Sequence, residues 1–299
     1  MSKVKESIPF KAGYVNIFGN PNAGKSTLLN AMLGEQLAIV TPKAQTTRTR
    51  MLGILNEPGV QLIFSDTPGI IEPKYALQET MMNTIKEALE DADIALYLAV
   101  PGEREPNNKN LFNQIVQLKV PLIIGINKID TISQELALTE YQYWKTTVPG
   151  AEVWLLSALH GFNVIELKNR LVELLPEHPP YFDTDQLTDK SERFIVSEII
   201  REKILLHYKE EIPYAVEVYV EEFKEEEQII RIRAVIVTER DTQKSIIIGK
   251  GGKALKKTGT EARLSLENFF RKKIFLELYV KVDPDWRRDE KKVKKYGYR

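Results

Sequence analysis

The run Gly19-Asn20-Pro21-Asn22-Ala23-Gly24-Lys25-Ser26-Thr27 constrains this chain more than any other stretch. It fits G-x-x-x-x-G-K-[ST], a spacing in which each residue type serves a phosphate chain. Gly19 and Gly24 permit backbone conformations that turn N–H groups inward. Lys25 brings a point charge to the outer phosphates, and Ser26 offers a hydroxyl to Mg2+. Tyr14-Val15-Asn16-Ile17-Phe18 alternates as a strand, and Ser26 to Leu33 reads as a helix stopped by Gly34. The phosphates would then lie at a helix N-terminus, where the dipole favours anions.

The chain around this loop is 299 residues long, enough for two domains. It has no cysteine, which excludes disulfides, thiol nucleophiles and cysteine-held metals and suits a reducing cytosol. His160, His178 and His207 are far apart and show no metal spacing. Lys and Arg total 42 and Asp and Glu total 42, so overall basicity signals no partner. Met1 to Lys11 lacks the apolar stretch of a leader peptide, and no apolar run nears the roughly 18 residues of a spanning helix. A cytoplasmic protein is expected, with any membrane contact peripheral, on the inner face.

Strands and helices alternate up to about residue 175. Short apolar strands at 62–64, 94–100, 122–126 and 153–156 are separated by helical patterns at 78–90, 108–118 and 164–174. That pattern predicts an α/β domain with a mostly parallel sheet and helices on both faces. Ligands then bind at the carboxyl ends of the strands, and further motifs fall there. Asp66-Thr67-Pro68-Gly69 offers a carboxylate to Mg2+, through a water, and the Gly69 N–H to a γ-phosphate. Asn127-Lys128-Ile129-Asp130 offers base selection. Asp130 can accept from guanine N1–H and the exocyclic amine together, whereas adenine would leave it unmatched. The Lys128 stem can cover a base face, and Asn127 can tie this loop to the phosphate loop. Backbone N–H groups of Ser157-Ala158-Leu159 can meet guanine O6. The polar stretch Thr41 to Arg50 reads as a loop in which Thr46 or Thr47 completes Mg2+ coordination when a γ-phosphate is present, making it a switch.

Three prolines in Pro176-Glu177-His178-Pro179-Pro180 favour a stiff, extended connector. The expected domains are 1–180 and 181–299. In the second, Asp189 and Glu192 have capping-box spacing for a helix over about 191–208. Alternating strands follow near 215–223 and 230–237, with Glu217 and Glu221 expected opposite Arg231 and Arg233. An apolar run then enters Ile248-Gly249-Lys250-Gly251-Gly252-Lys253, followed by Lys256 and Lys257. A helix is expected over 260–270, after a break at Gly259, then a strand over 274–282. Gly249 to Lys273 holds eight Lys or Arg against Glu261 and Glu267, a basic patch hidden within a neutral total. The tail after Asp283 is basic and aromatic, readable as an RNA-groove flank or as a solvated run.

The first-half motifs resemble those of translation-factor-type GTPases, and Thr46-Thr47-Arg48 with Asn22 resembles the Era-like branch. The second half resembles a type II KH domain, in which G-x-x-G admits a sugar-phosphate backbone and an apolar groove holds four nucleotides. Together, over about residues 10–299, the chain resembles the Era family of bacterial ribosome-assembly GTPases. The resemblance implies slow GTP hydrolysis to GDP with Mg2+ and binding of single-stranded RNA near the 3′ end of 16S ribosomal RNA in the small subunit. Lys25, Thr46, Thr47 and Gly69 are then the candidate catalytic residues. Ile70 stands where many GTPases carry a water-orienting Gln after D-x-x-G, so Asn22 becomes a candidate K+ ligand. The alternative from another class is a GTP-controlled signalling or membrane module whose second domain binds protein.

Overall fold

The structure, a computed structural model, describes residues 9–298. Residues 1–8, most of the stretch read for a leader, and Arg299 lie outside the described residues. Contacts divide the chain into two compact units. The first takes residues up to Ala38, Thr47–Glu72 and Met81–Asp189; the second takes Ile39–Thr46, Pro73–Thr80 and the chain from Lys190 onward.

The chain up to Asp189 builds β1 (Lys11–Phe18), α1 (Lys25–Leu33), β2 (Met51–Glu57), β3 (Val60–Asp66), α2 (Ala76–Glu90), β4 (Ile94–Ala99), α3 (Lys109–Val116), β5 (Leu122–Ile126), α4 (Gln134–Thr147), β6 (Glu152–Leu155) and α5 (Val164–Leu174). The sheet runs β2-β3-β1-β4-β5-β6, parallel throughout except for the β2–β3 pair. Every residue of β4 is buried, so both faces of this strand are covered and its sequence is continuously apolar.

Two elements go beyond the sequence reading. β2 is a hairpin partner of β3, and Gly53 within it interrupts its apolar signal. A Cβ at Gly53 would lie 2.6 Å from Leu33 Cδ1, so the glycine is where α1 packs down onto the sheet. α4 is capped by Ser133, whose side chain accepts from Leu136 N, and it buries Trp144 against Tyr97 and Phe112.

The connector expected near 180 is hydrogen-bonded onto the first unit. Gln61 Oε1 accepts from Tyr181 N at 2.7 Å and Phe182 N at 3.1 Å, and Leu187 O accepts from Ile54 N at 2.8 Å. Asp189 Oδ1 accepts from Leu52 N at 2.8 Å. This corrects the expected capping box: Asp189 is engaged by β2, and Ser191 caps the next helix, accepting from Phe194 N at 3.3 Å.

From Lys190 the chain forms α6 (Glu192–His207), α7 (Ile212–Ala215), β7 (Glu217–Glu225), β8 (Ile229–Thr238), α8 (Asp241–Ile248), α9 (Lys253–Phe270), β9 (Lys273–Val282) and α10 (Glu290–Lys295). β7 and β8 are antiparallel, β8 and β9 parallel. Ile200 and Ile204 of α6 join Ile230, Ile232 and Ile236 of β8, Ala262 and Leu266 of α9 and Ile274 of β9 in one core. Three expectations are corrected here. A bulge between Val220 and Glu222 shifts the register, so Glu222 faces Arg233 and Lys224 faces Arg231, while Glu217 is buried opposite Val237. α9 starts at Lys253 and runs through Gly259 without a break. A Cβ at Gly259 would lie 3.2 Å from Leu278 Cδ1, so this glycine marks close packing on β9. The tail is folded: Trp286 is fully buried and donates its indole N–H to Ala215 O at 2.9 Å, and Tyr298 OH donates to Glu217 at 2.5 Å.

Candidate nucleotide site and candidate RNA interface

The loop after β1 closes on itself around Lys25. Its ammonium donates to Gly19 O at 3.1 Å and Asn20 O at 3.0 Å. Burial pushes its pKa down to about 8, against the pull of Asp66 and Glu103. A buried cation held, among the described residues, by two backbone carbonyls is electrostatically poised for an anion. Gly24 starts α1 at φ 95°, and a Cβ there would lie 2.3 Å from Asn127 Nδ2. Asn127 bridges two loops: its Nδ2 donates to Ala23 O at 2.8 Å, and its Oδ1 accepts from Ala158 N at 2.9 Å.

Three oxygens converge beside α1. Ser26 Oγ donates to Asp66 Oδ2 at 2.7 Å, and Thr47 Oγ1 lies 3.0 Å from Ser26 Oγ and 3.1 Å from Asp66 Oδ2. Two hydroxyls and a carboxylate are hard donors of the kind Mg2+ takes alongside waters and phosphate oxygens. Thr46 does not join them; its hydroxyl donates to Lys43 O at 2.6 Å and pairs with Thr41 at 2.7 Å. Thr67 Oγ1 donates to Ile17 O at 2.6 Å, and Pro68 leads into Gly69, whose Cβ, if it had one, would lie 2.7 Å from Pro21 Cα. Asn22, at φ 62°, and Thr27 complete the phosphate loop and the first turn of α1.

On the base-selecting side, Ser157 Oγ donates to Asp130 Oδ1 at 2.5 Å and holds that carboxyl below its ordinary pKa. Lys128 sits in the left-handed region at φ 64°, and Leu159 is exposed. The loop at 101–107, which includes Glu103 and Asn107, was not singled out in the sequence. Its Glu103 is nevertheless buried and Asn107 touches the phosphate loop.

In the second unit, Gly249 (φ 70°), Gly251 (φ 59°) and Gly252 (φ 75°) turn the chain from α8 into α9. Lys250, Lys253, Lys256 and Lys257 are exposed, and Ile248 is half-buried. Beside the turn lies a groove of about 350 Å3 lined by Leu255, Thr260, Arg263, Leu276 and Leu278 among others. The sequence reading missed those five. Their signal was present in the alternation of β9 but needed α9 to continue through Gly259.

Fold and strand-end loops together define a class, a P-loop GTPase domain followed by a KH domain. Comparison with known proteins agrees. Residues 14–128 match the family described as 50S ribosome-binding GTPase, and residues 211–287 match the KH domain. GTPase Era of Syntrophus aciditrophicus is 45% identical over 295 residues, covering 98% of this chain and 96% of that protein. GTPase Era of Caldanaerobacter subterraneus is 44% identical over 97% of this chain and 98% of its own. A crystal structure of Era with MgGDPNP and nucleotides 1506–1542 of 16S ribosomal RNA superposes with TM-score 0.93 at 41% identity, covering 97% of this chain and 99% of that one. A variant of Aquifex aeolicus Era bound to GDP and AlF4− gives TM-score 0.93 at 39% identity, with the same coverage. The chain belongs to the Era family of GTPases.

Proposed function

We propose that this GTPase lets its guanine nucleotide control the binding of single-stranded RNA during assembly of the small ribosomal subunit. The observation that carries the reading is the partition of the chain. Residues 39–46 and 73–80, which flank Thr47 and follow Gly69, group by contact with the KH unit. Within that unit the buried Arg201 donates to the carbonyls of Gln45 and Thr46, and Tyr75 OH donates to Gln45 Oε1 at 3.2 Å. A nucleotide-dependent change at Thr47 or Gly69 therefore has a covalent route into the RNA-binding unit.

In this reading Gly19–Thr27, Asp66–Gly69, Asn127, Lys128, Asp130 and Ser157–Leu159 hold GTP or GDP. Ser26, Thr47 and Asp66 form the protein side of Mg2+ coordination, with Asp66 acting through a water. Bound Mg2+ supplies charge neutralisation at the β and γ phosphates. Asn22 is proposed as a K+ ligand, because Ile70 has no group to orient water. Ile248–Lys253, Lys256 and Lys257 clamp the RNA backbone, and the groove beside them takes the bases. The crystallised relative was bound to a 16S ribosomal RNA segment, which supports the same target here. The KH match favours RNA over the signalling-module alternative. Among the described residues no helix is long and apolar enough to cross a membrane; a cytoplasmic place with peripheral contact at the inner membrane face is part of the proposal.

Binding reciprocity supplies the test. If RNA binds the GTP form better, GTP must bind the RNA complex better by the same factor. Affinity for a non-hydrolysable GTP analogue is measured with and without the 3′ segment of 16S ribosomal RNA, and equal affinities would remove the control step.

A further inference from the structure

The D-x-x-G segment ends against Ile70, an apolar side chain that is fully buried. With no glutamine there to orient water, what this segment itself can offer the transition state is backbone, above all the N–H of Gly69, alongside Lys25 and the Mg2+ ligands. Such a donor helps only if it is held in place before the reaction. The structure contains a device that holds it. Ile70 N donates to Gly19 O at 3.0 Å, and Ile70 O accepts from Asn107 Nδ2 at 3.2 Å. Asn107 N also donates to Asn20 Oδ1 at 3.1 Å. One residue of the 101–107 loop thus grips the phosphate loop with its backbone and the D-x-x-G segment with its side chain.

The grip is anchored. The side chain of Asn20 favours the charged form of Glu103, against the desolvation that raises that carboxyl's pKa. Glu103 is buried and accepts from Tyr97 OH at 2.6 Å and Val100 N at 3.4 Å. Tyr97 lies edge-on to Phe112 with ring centroids 4.9 Å apart, and Phe112 belongs to α3. Asn108, immediately after Asn107, caps α3 by accepting from Leu111 N at 3.0 Å. Asn107 therefore projects from the fixed start of a helix whose own core contact closes the loop. Glu103 has a second effect: its charge favours the protonated form of Lys25.

We propose that Asn107 is a positioning residue for GTP hydrolysis, holding Gly69 and Ile70 against the phosphate loop where other GTPases use a glutamine side chain. The role rests on the GTPase reading of this site. It acts only while a γ-phosphate or its transition-state mimic is present, because GDP has none for the Gly69 N–H to meet.

The test uses the full chain and two variants. Asn107→Asp keeps the size and the backbone N–H to Asn20 but replaces the Nδ2 donor with an acceptor. Asn107→Ala removes the side chain. Asn107 is an exposed loop residue, so neither change should unfold the protein. Single-turnover GTP hydrolysis should slow about tenfold or more in both, the scale of one lost positioning hydrogen bond in the transition state. GDP affinity should stay within about twofold of wild type, and affinity for GDP with aluminium fluoride should fall in step with the rate. Rates within about twofold of wild type, or GDP affinity falling as far as the rate, would overturn the assignment. Wild type is measured first: if it hydrolyses no GTP, the functional reading fails, and the failure is not that of Asn107.

Discussion

Thr47 Oγ1 lies 3.1 Å from Asp66 Oδ2, whereas the hydroxyl of adjacent Thr46 is turned away to Lys43 O at 2.6 Å. Two neighbouring threonines of identical chemistry therefore have different consequences when altered. Thr47→Ala should weaken the Mg2+-dependent preference for a GTP analogue over GDP by about tenfold, the effect of losing one ligand to a partly hydrated cation. Thr46→Ala should leave that preference within about twofold, its hydroxyl bonds being local. Titrating both nucleotides with and without Mg2+ decides it, and the reverse ranking would reassign the switch threonine.

Asp130 is held as a carboxylate by Ser157 and so can only accept. Asp130→Asn places a donor where guanine also donates. GTP affinity should fall by roughly a hundredfold or more, since a polar site confronted with a mismatched polar edge loses strongly. Xanthosine triphosphate, which presents a carbonyl in place of the exocyclic amine, should recover part of the loss. Competition binding with the four natural triphosphates and the xanthine nucleotide measures it. Equal competition by ATP in the wild type would show that Asp130 does not select the base.

These two cases mark how far the sequence could be read. Gly24, Lys25, Asp66 and Asp130 were legible because the chemistry demands those residue types at fixed offsets within short loops, and strand-loop-helix context is itself local. The choice between Thr46 and Thr47 was not legible, because it depends on where residues 39–46 pack. Asp189 looked like a helix cap until a donor 137 residues away, Leu52 N, claimed its carboxylate. Gly259 looked like a breaker, and Gly53 drew no reading at all. Each is a place where one element comes too close to another for a side chain, and that fact belongs to the partner element. Asn107 carried no signal, since its role follows from two acceptors, Asn20 Oδ1 and Ile70 O, that are remote in the chain.

The G-x-x-G corner can be tested without disturbing the fold. Gly251 sits in the left-handed region, which Asp tolerates better than most residues, and a Cβ there would meet no atom within 4 Å. Gly251→Asp should therefore fold normally and bind GDP as wild type does. Placing an anion against the sugar-phosphate backbone should weaken single-stranded RNA binding by at least about tenfold. Separately, Lys256→Ala should lower the salt slope by about one without changing sequence preference. Filter binding across a salt series reads both. Full RNA affinity in Gly251→Asp would place the RNA elsewhere.

The depressed pKa of Lys25 couples nucleotide binding to protons, and the direction follows from its environment. In the free protein burial brings the ammonium from 10.5 down to about 8. Phosphate oxygens beside it favour the charged form and raise that value in the complex. Below pH 8 the lysine is charged before and after binding, so affinity is flat. From pH 8 up to the pKa in the complex, binding takes up one proton, and GDP affinity should fall by up to about tenfold per pH unit. The stability of the nucleotide-free protein moves the other way over pH 8 to 10.5, because there the unfolded chain binds more protons than the folded one. Calorimetry at pH 7 and pH 9, in buffers of different ionisation enthalpy, reads the proton uptake directly. Lys25→Met should abolish the uptake along with most of the affinity. Binding at pH 9 with no proton taken up would mean that Lys25 is already charged in the empty loop.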